Sequence, residues 1–232
     1  MTLNNTNTVI DRMMGLVRQW EAEQDQRAIF LNCYALMTQS MHTALAEGRF
    51  HDSTWVATWL SRFADYYFDG LDAYERQDPT TPAVWRLAYK ATTRPHPHAL
   101  QHLLLGVNAH INYDLTLTLV ELLGSSWSTL TAEQRQRHQD DFDQVNVIIK
   151  ETINQVQDEV LERHDWLMAW VDTLSGPLDE WFTGWLISGW RDEVWREAVN
   201  MMDCVDAAAR EQCRLALETA SLERGRWILL SS

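Results

Sequence analysis

The chain has 232 residues, of which 46% are apolar, and 19 Lys plus Arg against 33 Asp plus Glu leave a net charge of −14. A field of that sign repels phosphate backbones and anionic membranes, and no long basic run reverses it locally, so neither nucleic acid nor a membrane is expected as partner. The length supports one domain, 1–232, with its own core, and no stretch approaches the ~18 apolar residues that mark a membrane span.

Nine glycines, five prolines and the absence of alternating β-branched runs, with apolar residues spaced i, i+3, i+4 nearly throughout, predict an all-α multi-helix bundle. The first helix is expected at about 8–23. The second, about 25–47, carries a stripe of Phe30, Tyr34, Met37, Met41 and Leu45, prolonged at its head by Arg27, and stops at Glu47-Gly48. The third, about 53–76, opens on Asp52 or Ser53 as a cap and buries Val56, Leu60, Phe63 and Tyr67, with Tyr66 alongside. Thr81-Pro82 offers a capping hydroxyl before a helix at 82–92, and Arg94-Pro95-His96-Pro97 is a break.

The helix at about 98–123 is apolar on all sides, which places it at the centre of the bundle. Yet it carries His102, Asn108, His110, Asn112 and Asp114 among leucines, valine and isoleucine. An unpartnered buried polar group costs about 1–3 kcal/mol, so something must satisfy these side chains. At 100° per residue His110 and Asp114 share one face, while Asn108 and Asn112 point nearly opposite.

Beyond Gly124, Thr131 and Gln134 form a capping box for a long helix at 131–163, with Phe142, Val145, Asn146 and Ile149 on its stripe. A short helix at 165–174 and the break Ser175-Gly176-Pro177 precede helices at 178–200 and 205–223, and Arg191 lies inside the apolar stripe of Ile187, Val194, Trp195 and Ala198. The 12 tryptophans argue first for bulky packing and second for an aromatic pocket lining. Cys33, Cys204 and Cys213 form no C-x-x-C, which argues for a reducing compartment. Cys204 and Cys213, nine residues apart, are expected to lie too far apart along a helix axis to bridge. The N-terminus lacks the basic-then-apolar pattern of a leader, so a cytoplasmic location is expected.

These residues make a small-molecule enzyme the leading expectation. His110 would act as general acid or base oriented by Asp114; Arg191 or Arg27 would hold an anionic or carbonyl group. Asn108, Asn112, Asn146 and His102 would position polar atoms, and Tyr34, Tyr66 and tryptophans would line the apolar remainder. A non-catalytic ligand-binding or accessory protein is the alternative, with these groups as a structural network and Arg27 or Arg191 as a buried ion-pair partner of Asp114. Metal-dependent chemistry is third. His96, His98 and His102, or His110 with Asp114, supply partial ligand sets without an H-E-x-x-H to complete them, so the sequence assigns no metal and no cofactor. Asp140-Asp141-Phe142-Asp143 faintly resembles the magnesium-diphosphate motif of class I terpene synthases, but its D-D-x-D spacing departs from D-D-x-x-D and no second motif accompanies it. No G-x-S-x-G, P-loop or G-x-G-x-x-G occurs.

The run L-L-L-G-V-N-A-H-I-N-Y-D-L at 103–115 resembles the central signature of an uncharacterised bacterial all-helical domain family of unknown function. Supporting matches are Asp25-Gln-Arg27 before Phe30 and Tyr34, Phe50-x-Asp52-x-x-Trp55, Phe63 to Tyr67, Pro82-x-x-Trp85, Asp141-Phe142 with Val145-Asn146, and Arg191-x-x-x-Trp195. The resemblance implies one all-helical domain with a shared polar centre. It implies no activity.

Overall fold

Helices α1 (Thr2–Ala22), α2 (Arg27–Ala46), α3 (Ser53–Glu75) and α4 (Ala83–Ala91) lead into a central rod made of α5 (Ala99–Val107), a π-helical segment (Asn108–Leu115) and α6 (Thr116–Leu123). A short 3-10 turn (Trp127–Thr129), α7 (Ala132–Val160), α8 (Trp185–Met202) and α9 (Ala207–Leu230) complete an all-α bundle. The computed structural model describes residues 2–93, 99–160 and 185–230, with side chains over 8–93, 101–152 and 189–230. The helix expected at 165–174, the break at 175–177 and the loop residues His96 and His98 lie outside the described residues. The last helix runs past its expected end at 223, and the first begins before residue 8.

Local chemistry sets the helix starts. Asp52 accepts the backbone N–H of Trp55 at 2.9 Å, and Thr131 and Gln134 cap each other reciprocally at 2.9 and 3.2 Å. Thr81 departs from its expected role. Pro82 occupies the cap position in extended conformation, the Thr81 hydroxyl turns back to donate to the Asp78 carbonyl, and Glu218 of α9 accepts the N–H of Ala83. Gly48 takes φ +69, the left-handed stop that a side chain resists.

Two hydrophobic clusters meet at the central rod. One gathers Leu31, Tyr67, Trp85, Leu103 and Ala109; the other gathers Trp59, Phe63, Leu115, Phe142 and Trp195. The π segment packs against α3, α4, α8 and α9, so the rod is enclosed. Gly106 lets α5 approach α2: a Cβ there would fall 2.4 Å from Cγ of Phe30.

Two expectations are corrected here. The helix at 98–123 is not uniformly α. Over Asn108–Leu115 bonding is i→i+5, and where it reverts to α the Thr116 and Thr118 hydroxyls donate to the carbonyls of Asn112 (3.2 Å) and Asp114 (2.7 Å). Cys204 and Cys213 do not lie along one helix either. Because α8 ends at Met202 and α9 begins at Ala207, Cys204 sits in the turn, and its Sγ lies 3.4 Å from that of Cys213.

Candidate functional site

The π segment and α4 build a buried dyad with an indole support. His110 Nδ1 and Asp114 Oδ2 are 3.0 Å apart, and Trp85 of α4 donates its indole N–H to the same oxygen at 2.8 Å. His110 is 2% exposed and Asp114 1%. Neither arginine considered for Asp114 reaches it; the hydrogen-bond partners of its carboxyl group among the described residues are the imidazole and the indole. Phe63 of α3 stacks on the imidazole with centroids 3.6 Å apart and planes 8° from parallel, and Tyr34 of α2 meets it edge-on at 4.3 Å. Phe30 and Tyr67 close the cage at about 6 Å.

Burial holds the His110 pKa well below its ordinary value, so the ring is uncharged. Burial likewise raises the Asp114 carboxyl well above the usual range, against the lowering effect of the Trp85 hydrogen bond. Together these directions describe a pair with no net charge. In the doubly neutral form these directions favour, the Asp114 carboxyl donates to Nδ1 and the imidazole proton sits on Nε2. That Nε2 is buried and has no hydrogen-bond partner among the described residues.

His110 forms part of the wall of a cavity of about 120 Å³ between α2, α3, α7, α8 and the central rod. The wall is overwhelmingly apolar, with Met37, Leu60, Phe63 and Ile149 among its members, and it includes Tyr34 and Arg191. Cys33 also contributes, but burial pushes its thiol up to about 11, so it is not a ready nucleophile.

Arg191 of α8 is 2% exposed. Its Nε donates to Oδ1 of Asn146, its Nη2 to the Phe142 carbonyl at 3.4 Å, and its guanidinium lies 4.4 Å from the Phe142 ring centroid. Burial lowers its pKa to about 9, partly offset by Asp143 and Asp192, so it remains a cation at neutral pH. No carboxylate among the described residues lies within ion-pair distance of it.

The structure therefore brings His110, Tyr34 and Arg191 to one cavity, with Asp114 behind His110 and Asn146 behind Arg191. The other candidates lie elsewhere. Asn108 donates to the Ser221 carbonyl of α9 at 2.9 Å and accepts from Asn112 at 3.0 Å, so Asn108 ties the rod to its neighbour and Asn112 holds Asn108 in place. Arg27 is engaged by Asp25 and Glu75 and lies over Trp20. Tyr66 donates to Glu121 at 2.8 Å beneath Arg62. His102 is buried away from the cavity, with neither ring nitrogen hydrogen-bonded among the described residues. Asp141, 1% exposed, accepts the backbone N–H groups of His51 and Asp52 at 2.7 and 2.9 Å and so clamps the α2–α3 turn to α7; Asp140 accepts from Gln136. No cluster of three or more His, Cys, Asp or Glu suited to a metal occurs among the described residues.

Two side chains central to the dyad, Trp85 and Phe63, were not expected as site residues. Both stand in the short motifs that carry the family resemblance, and that was the signal available. A model of a family of unknown function, DUF5995, matches residues 6–231. The chain belongs to that family. The DUF5995 match covers every element that builds the cavity, from α2 to α8, and the whole run at 103–115. No curated protein and no solved structure matches the chain. No helix among the described residues is long and apolar enough to cross a membrane.

Proposed function

We propose that the protein binds a small, mainly apolar molecule in the cavity beside His110 and meets an oxygen atom of that molecule with the imidazole Nε2–H. What supports this reading is that His110, a residue of the cavity wall, has a buried Nε2 without a hydrogen-bond partner among the described residues. A buried donor left without an acceptor costs about 1–3 kcal/mol, which a carbonyl or carboxylate oxygen would relieve. The aromatic cage and the Asp114–Trp85 support hold the imidazole in one orientation. Such fixing is costly to maintain if the ring serves packing alone. The net charge of −14 and the apolar wall favour a small organic ligand over nucleic acid, and a reducing, cytoplasmic setting is consistent with three free thiols.

A catalytic version of the same site has one observation of its own in its favour: the Asp114 carboxyl, which burial shifts toward its protonated form, lies 3.0 Å behind Nδ1. Donation from Nε2 to a carbonyl oxygen, with Asp114 replenishing the ring through Nδ1, would make His110 a general acid. Of the two expected roles, acid or base, this version takes the acid.

Nitrogen-15 NMR of histidine side chains at pH 7 tests the reading. The expected spectrum has His110 in the Nε2–H tautomer, with that resonance moving on addition of a carbonyl-bearing apolar compound. His110→Phe, which keeps the stack on Phe63, should stay folded and lose the binding. Equal binding by His110→Phe, or an Nδ1–H tautomer, would overturn the proposal.

A further inference from the structure

We infer that the ligand of this cavity is a small monocarboxylate, its carboxylate paired with Arg191 and its apolar body enclosed by the Tyr34–Phe63 wall. This rests on the binding role proposed above and adds the chemical class. A guanidinium has five N–H donors, of which the Asn146 side chain and the Phe142 carbonyl take two. Desolvating a cation without a counter-ion is costly, and guanidinium donors are planar and pre-shaped to grip a carboxylate in bidentate fashion. The acidic neighbours Asp143 and Asp192 are both exposed and act on Arg191 only from beyond ion-pair distance, so its charge has no close answer among the described residues.

The rest of the wall fixes what the anion must carry. One cation and one neutral imidazole donor in an apolar lining match a monoanion; a phosphate dianion would face a single cation among methyl and ring groups. A volume of about 120 Å³ is a little below the ~150 Å³ apolar cavity that takes up benzene, which sets the whole ligand, carboxylate included, at about six heavy atoms.

Titration calorimetry on the full chain at pH 7 tests this with butanoate and 2-methylpropanoate against butan-1-ol and 2-methylpropan-1-ol. The acids should bind at least about tenfold more tightly than the alcohols, a difference of about 1.4 kcal/mol. Arg191→Gln should bring the two classes within about threefold, and Arg191→Lys should keep part of the preference. Wild-type protein that binds the alcohols as well as the acids overturns the carboxylate inference and leaves the pocket reading standing. Protein that binds neither overturns both. An acid preference undiminished in folded Arg191→Gln removes Arg191 from the role. If Arg191→Gln does not fold, the acid–alcohol comparison in the wild type decides the ligand class.

Discussion

Asp114 Oδ2 serves two partners at once, the indole N–H of Trp85 and the imidazole of His110. Asp114→Ala strands both in a dry interior and should cost about 2–6 kcal/mol in urea denaturation, about 1–3 kcal/mol for each group left unpaired. Asp114→Asn with its oxygen in the same place still accepts from the indole and can accept an N–H from the ring in its other tautomer, so its cost should stay near about 1 kcal/mol. Equal losses for the two variants would show that side-chain volume, not hydrogen bonding, is what matters there. Gly106 is a second sensitive position, because its Cα stands against the Phe30 ring. Gly106→Ala should destabilise the fold by about 1–3 kcal/mol, although alanine is the better helix former. A stabilised variant would contradict the close approach of α5 to α2.

At the scale of elements, the π segment is what the sequence concealed. The outer helices were legible because each has a polar side and an apolar side, so Phe30, Tyr34 and Met41, or Val56 and Phe63, repeat at a readable period. The central rod is apolar all round and gives no such beat, and a change from i→i+4 to i→i+5 bonding leaves no trace in composition. Its consequences are visible only in partners: Asn108 reaches α9 and holds Asn112 instead of a ligand, and the threonine hydroxyls fill carbonyls at the junction. Arg27 and Tyr66 were legible as polar residues near apolar stripes. Their true partners, Glu75 and Glu121, are distant in sequence and could not be read. Asn108→Ala leaves the Ser221 carbonyl and the Asn112 amide without each other's link. It should cost about 1–3 kcal/mol by thermal unfolding without changing ligand affinity at the cavity. A loss of affinity with intact stability would return Asn108 to the site.

For the molecule as a whole, the dyad makes stability depend on pH in a specific sense. The Asp114 carboxyl, raised in the fold, contributes stability below its ordinary value of 3.8 and loses it as pH rises; the His110 ring, lowered in the fold, contributes above 6.5 and loses it as pH falls. Between those values the folded and unfolded pairs each hold one proton and the two trends cancel. Wherever the folded pair still holds its proton above 6.5, where the unfolded pair has lost it, stability should decline by up to about 1.4 kcal/mol per pH unit. Urea midpoints from pH 5 to 8 should show that decline in the native chain and not in the His110→Gln, Asp114→Asn double variant; parallel curves would refute the shared-proton state.

The facing sulfurs of Cys204 and Cys213 bear on how any such measurement is made. A low-molecular-weight disulfide in the buffer could exchange with the two thiols, leaving as a pair of reduced molecules while a covalent staple closes across the last turn of the chain. Sealing a loop of about ten residues is worth about 3 kcal/mol on chain-entropy grounds. An aged stock would then hold a second species, lighter by two hydrogens and melting higher, and a fresh reductant should return it to the first.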